Sequence, residues 1–208
     1  MKSQSDWNAA LLAAAHDGDL AKASDALAAG ADVNAANAYH VTPLLEATGC
    51  EHIEMARYLI DHGAEIDYTG MREGSPLMLA AYMGRIELLR LFLESGADPN
   101  LALPNGGETT LHMAAATGRT KAAQILLDAG ADPNRHVKSD VVTDLFDGQV
   151  KLWGETPLHY AAAYGDEEMV QAMLSAGADR EARNTHGETP LNYAGRHKRP
   201  RAVLDLLK

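Results

Sequence analysis

Cysteine is nearly missing from this chain. Cys50 is the single one in 208 residues, which excludes an internal disulfide and a zinc site built from cysteines, and fits a reducing compartment. Aromatic residues supply only 5% of the chain, with two Phe and two Trp. Any core must therefore be close-packed from small and medium side chains, which favours helices over a β-sandwich. Cations are scarce as well: 18 Lys and Arg face 29 Asp and Glu, a formal charge of −11. Such a surface repels a phosphate backbone, which argues against nucleic acid as the main partner. Long apolar runs are also missing. The opening MKSQSDWNAALLAAAHDGDL has no stretch fit for a signal peptide, and nothing later approaches a membrane span. The expectation is a cytoplasmic protein without membrane contact.

The charge is uneven. Arg196, Lys198, Arg199, Arg201 and Lys208 against Asp205 make the last thirteen residues +4, leaving −15 on residues 1–195.

What the chain has in abundance is an internal period. Gly-Ala followed by Asp or Glu recurs at Gly30, Gly63, Gly96, Gly130 and Gly177, at intervals of 33, 33, 34 and 47. Thr42-Pro43-Leu44, Ser75-Pro76-Leu77, Thr109-Thr110-Leu111 and Thr156-Pro157-Leu158 each begin 21 residues before such a Gly, and Thr189-Pro190-Leu191 opens one more unit. Thr or Ser is a favoured N-cap and Pro suits the first helical position, so each of these phrases starts a helix. Gly84, Gly118 and Gly165 end that short helix at a tight turn, a second helix follows, and the Gly-Ala phrase closes it with a left-handed cap. Two helices of this size cannot bury their apolar faces alone, whereas stacked copies can.

The phrases TPLHYAAAYG (156–165), TTLHMAAATG (109–118) and SPLMLAAYMG (75–84), with the tails GADPN and GADVN, resemble the ankyrin repeat family over nearly the whole chain. The resemblance implies an all-α solenoid of six helix-turn-helix units with β-hairpin fingers. Their approximate bounds are 5–36, 37–69, 70–102, 103–135, 150–182 and 183–208, four internal and two capping, in a single domain. Ser5 or Asp6 is expected to cap the first helix. In the last unit Lys198 replaces the interhelix Gly, and Pro200 restarts the chain as a final helix.

The interval of 47 leaves 14 surplus residues, which fall in an insertion at 135–153. It carries Phe146 and Trp153 among β-prone residues, and Asp147-Gly148 is a strong two-residue hairpin signal. That turn sets Thr143 opposite Leu152, Val142 opposite Trp153 and Asp144 opposite Lys151. A short helix from Ser139 to Gly148 is the rival reading, opposed by the β-branched run Val141-Val142-Thr143. The insertion either folds over a neighbouring repeat or contacts a partner; for the second case, deleting 137–151 should leave a folded protein that no longer binds.

The resemblance also implies where a partner would touch, at positions before each TPLH and before each interhelix Gly. In this sequence these include Tyr39, Met71, Arg72, Glu108, Leu152, Trp153, Glu155, His186 and Glu188, then Tyr82, Met83 and Tyr164, with Arg196 and His197 in the same register; Phe146 joins them from the insertion. Tyr, Trp, Met and Arg anchor protein interfaces, and a row of Glu108, Glu155 and Glu188 would attract a basic or mixed face. His112 and His159 hold the fourth TPLH position, which in the family hydrogen-bonds neighbouring loops. The expected function is a non-catalytic protein-binding module, monomeric, without cofactor or metal, acting as an inhibitor, an immunity-type protein or an adaptor. The alternatives are an enzyme with a site near Cys50 and His52 or in the insertion, and anionic-surface binding through the basic C-terminus.

Overall fold

The computed structural model describes residues 3–70, 74–143 and 150–208. The chain forms two compact units, residues 1–97 and 98–208. The first holds helices α1 (Gln4–Asp17), α2 (Leu20–Ala28), α3 (Pro43–Gly49), α4 (Ile53–Asp61), α5 (Pro76–Met83) and α6 (Ile86–Glu94). The second holds α7 (Thr110–Ala116), α8 (Thr120–Asp128), strands β1 (Ser139–Thr143) and β2 (Val150–Trp153), then α9 (Pro157–Tyr164), α10 (Glu167–Ser175), α11 (Pro190–Arg196) and α12 (Arg201–Leu206). Six helix pairs thus stand where the period of the sequence puts them.

The starting signals act as expected at most helices. The Thr42 and Ser75 hydroxyls accept from the amides of Leu45 and Met78 at 3.4 and 3.3 Å, leaving Pro43 and Pro76 at positions where no amide is needed. The first helix starts earlier than expected: Ser3, not Ser5 or Asp6, is its cap. Asp6 instead completes a capping box, its carboxylate accepting from the Ser3 amide at 2.7 Å.

Small residues line the helix faces that meet. In the first unit Ala14, Ala15, Ala47, Ala80 and Ala81 are sealed from solvent together with Leu44, Leu59, Leu77, Leu89 and Phe92. In the second, Ala114, Ala115, Ala161 and Ala162 are sealed with Leu111, Leu126, Leu158, Met169 and Met173. Two short helices approach closely only where alanines face each other, which explains an apolar content poor in aromatics.

The interhelix turns are less uniform than the sequence suggests. Gly84 has φ 74°, as a left-handed helix cap should, but Gly165 is extended at φ −75°, ψ 168°. Its need for glycine is spatial, since a Cβ there would lie 2.7 Å from the Met169 sulfur and 2.8 Å from the Ala161 carbonyl. Lys198 takes the left-handed conformation at φ 52° in the absent glycine's place, and Glu51 does the same at φ 61° in the second pair.

The insertion is a hairpin, not a helix, and its register differs from the one the Asp-Gly turn implies. Thr143 pairs with Val150 and Val142 with Lys151, a bulge follows, and Ser139 pairs with Trp153. The ladder is displaced by two residues and closes over a six-residue connection, 144–149, which lies outside the described residues. A displacement of two keeps Val142 and Thr143 on their expected faces, and the bulge shifts the pairing by one more residue at Ser139. Leu152 is fully buried, as are Val137 and Thr143, and the Val137 amide donates to the Glu155 carbonyl at 2.9 Å. The Lys151 ammonium lies 3.2 Å from Asp140. These anchors hold the base of the hairpin in place. They also show that a deletion beginning at Val137 would remove part of the core.

Candidate functional site

Two of the three carboxylates expected on the surface point inward. Glu155 is 4% exposed. Its Oε1 accepts from the Tyr193 hydroxyl at 2.5 Å and its Oε2 from the Trp153 amide at 2.8 Å, while Asn184 Nδ2 donates to the Tyr193 oxygen at 3.2 Å. Glu108 is fully buried, with Thr143 of β1 beside it, and burial pushes its carboxyl above the usual range. A Cβ on Gly106 would lie against the Glu108 carboxylate, so glycine leaves the room this acid occupies. Leu152 is equally inaccessible. Glu108, Glu155 and Leu152 are therefore not contact residues, and no acidic row of three exists. The third carboxylate, Glu188, is ion-paired with Arg196.

The two TPLH histidines are structural. His112 Nδ1 accepts from the Thr109 amide, and His159 Nδ1 from the Thr156 amide, each at 3.1 Å. Only a neutral ring with its proton on Nε2 can accept there. His159 Nε2 then donates to the Glu188 carbonyl at 3.0 Å, tying one repeat to the next loop. Burial holds the ring of His112 down at about 3 and that of His159 at about 4. The rings of His159 and Tyr193 meet edge to face at 5.1 Å.

What remains outside in the second unit includes two ring pairs and an ion pair. Trp153 packs against His186 with ring centroids 4.1 Å apart, and the Lys151 ammonium lies 4.2 Å above the Trp153 ring. The Thr185 amide and hydroxyl donate to the Trp153 carbonyl at 2.7 and 2.9 Å, fastening this finger to the next. Beyond it Glu188 meets Arg196, whose guanidinium lies 5.1 Å from the Tyr193 ring. His197 follows, 5.0 Å from Tyr164, which is 49% exposed. Val142, on β1, is 55% exposed. Trp153 is thus paired with His186, Tyr164 with His197, and Glu188 with Arg196. Arg196 is the last residue of α11 and His197 its C-cap.

In the first unit Tyr39 is 81% exposed on a loop held by Asn37, whose Oδ1 accepts from the amides of Tyr39 and Val41 at 2.8 and 3.1 Å. Tyr82 and Met83 are half-buried at the end of α5. Met71, Arg72 and Phe146 lie outside the described residues. The dyad of Cys50 with His52 does not form: His52 Nε2 donates to the His16 carbonyl at 2.9 Å. The Cys50 sulfur lies instead 3.4 Å from His16 Nδ1, which is also 3.4 Å from Glu46 Oε2. Burial, then the carboxylates of Glu46 and Asp17, raises the Cys50 thiol, so it is not an activated nucleophile.

The most regular polar device is one that the period alone does not reveal. Asn34 Nδ2 donates to the Gly63 carbonyl and its Oδ1 accepts from the Glu65 amide, at 3.2 and 2.8 Å. Asn100 bridges Gly130 and Asp132 at 3.0 and 2.7 Å, and Asn134 bridges Gly177 and Asp179 at 2.9 and 2.8 Å. Each asparagine stands four residues after its Gly, and that phase was the available signal.

Helix pairs opened by capped TPL phrases, closed by glycine tails and joined by asparagine bridges define a repeat protein. A family model of ankyrin repeats in many copies matches residues 11–60. A second, of ankyrin repeats in three copies, matches residues 69–137 and 135–208. The chain belongs to the ankyrin repeat family. It is similar to the crystal structure of an ankyrin repeat domain from Acinetobacter baumannii AYE, with 28% identity and a TM-score of 0.78 over 95% of each chain. No curated protein matches it. Ankyrin repeats are generally protein–protein interaction modules. Among the described residues no helix is long and apolar enough to cross a membrane.

Proposed function

We propose that this protein is a non-catalytic binding module that acts by occupying a partner protein's surface, with the ring pairs at Trp153 and Tyr164 in its second unit as a contact face. One observation carries the reading: two ring pairs, Trp153 with His186 and Tyr164 with His197, are held in place by ring contacts, yet His186, His197 and Tyr164 remain exposed and Trp153 half-exposed. Preordered aromatic side chains lose little entropy on association and dominate interface energies. The charges of this face are already satisfied, Lys151 by Asp140 and Arg196 by Glu188. Recognition by rings and hydrogen bonds therefore replaces the attraction to a basic face that the row of glutamates implied.

The test is affinity capture from cells with the wild-type chain and with Trp153→Ala combined with Tyr164→Ala, read by quantitative mass spectrometry. A partner held by the wild type should be lost from the double variant, with affinity falling at least about thirtyfold, as loss of about 2 kcal/mol at a hot spot implies. Equal retention by both chains, with unchanged helical circular dichroism, would overturn the assignment.

A further inference from the structure

Three side chains that sequence analysis left unconnected converge in the first unit. His16 sits in the last turn of α1, Glu46 in α3, and Cys50 caps the C-terminal end of α3. His16 Nδ1 is 3.4 Å from both the Cys50 sulfur and Glu46 Oε2, and all three donor atoms lie within 4.8 Å of one another. Two features argue that these groups do not simply satisfy each other. One ring nitrogen cannot both donate to Glu46 and accept from the Cys50 thiol, and 3.4 Å is beyond ordinary N–H···O length. A catalytic triad would use the two ring nitrogens for different partners, whereas here both contacts fall on the same one.

We propose that His16, Glu46 and Cys50 form a binding site for a zinc-type divalent cation, with solvent as the fourth ligand. Zinc bonds of about 2.0 Å to nitrogen or oxygen and about 2.3 Å to sulfur give tetrahedral edges of roughly 3.3–3.6 Å. Both 3.4 Å separations fall in that range, and the remaining edge closes by rotation of the partly exposed Glu46 side chain. Mixed nitrogen, sulfur and carboxylate donors suit zinc better than magnesium or calcium. The surroundings favour a cation: His16 lies at the negative end of the fourteen-residue α1, and the Asp17 carboxylate acts on the same thiol. On binding, the cysteine releases its proton to solvent and the metal takes the thiolate. His52 is a positioning residue, its Nε2–H holding the His16 carbonyl and hence the backbone that carries the ligand.

Cobalt(II) titration of the reduced full-length chain tests this. Cys50 is the only cysteine in the sequence, so a thiolate-to-cobalt charge-transfer band in the near ultraviolet reports on this site alone. The band should saturate at one equivalent and disappear when zinc is added. Cys50→Ser should abolish it, and His16→Gln and Glu46→Gln should each weaken cobalt affinity at least about tenfold while helical circular dichroism stays the same. A wild-type chain without the band overturns the proposal. So does a band that persists at undiminished affinity in either the His16→Gln or the Glu46→Gln chain, which would leave a thiol that merely scavenges metal.

Discussion

At His112 and His159 the local motif and the tertiary burial act on the same proton. Each ring closes a helix cap through Nδ1 and must stay neutral to do so. In the unfolded chain an imidazole titrates near 6.5, whereas burial lowers these two to about 3 and about 4. Between those values the unfolded state binds more protons, so stability falls as pH drops from about 6.5 and the loss levels off near the folded values. Urea unfolding followed from pH 7.5 to 4.5 should show this decline. In a chain with His112→Asn and His159→Asn the pH-dependent part should be smaller, since Asn192 already fills the same cap position beside Thr189 without titrating. An identical pH profile in both chains would place the acid sensitivity elsewhere. Glu108 has the opposite sign: burial raises its carboxyl, so its ionisation works against folding as pH rises.

At the level of the elements, the helices were legible because their signals are local. Thr or Ser, Pro, an apolar periodicity and a glycine stop act within a few residues, and it makes no difference to them that 14 residues separate α4 from α5 and 28 separate α8 from α9. The hairpin was legible as a hairpin for the same reason, through its β-branched run. Its register was not, because Leu152 and Val137 are fixed by burial, which the pattern within the insertion does not encode. The links between elements were the least visible. Asn134 reaches Gly177 and Asp179 across the whole insertion, so the extra length is looped out without loosening the repeat that follows. Asn134→Ala removes two hydrogen bonds and should cost about 1–3 kcal/mol in chemical denaturation. An effect below about 0.5 kcal/mol would show that helix packing alone couples these repeats. Alanine at Asn100, which bridges an uninterrupted pair, should cost a similar amount.

For the molecule as a whole, stacked repeats predict stability that varies along the chain rather than one uniform value. In the second unit α9 is the best enclosed helix, with Leu158, His159, Tyr160 and its alanines buried, whereas α12 has six residues and buries Val203 alone. Native-state hydrogen exchange should therefore show markedly weaker protection for the amides of 201–206 than for those of 157–164. Equal protection would mean that the last pair opens only with the entire unit. The concentration of bases at 196–208 belongs to the same region. Arg196 pairs with Glu188, and Arg201 and Lys208 both pair with Asp205, so part of the positive surplus is spent in holding this final pair. Surface pairs of this kind are worth little individually.

The amino-acid sequence by itself determined the period, the helix pairs, most of their caps and the family, because each rests on torsional preference and apolar spacing within one repeat. It also marked out Trp153, Tyr164 and His186, which stand at the end of β2, at the end of α9 and on a turn. Only the tertiary structure decided that Glu108 and Glu155 face inward, since their surroundings come from other repeats: the Tyr193 hydroxyl that Glu155 meets is 38 residues away. The meeting of His16 with Glu46 and Cys50, at separations of 30 and 34 residues, is of the same kind. A repeat returns the chain to nearly the same place once per unit, so side chains about one period apart become neighbours. Which of them touch depends on packing between units, and no spacing within a single unit encodes that.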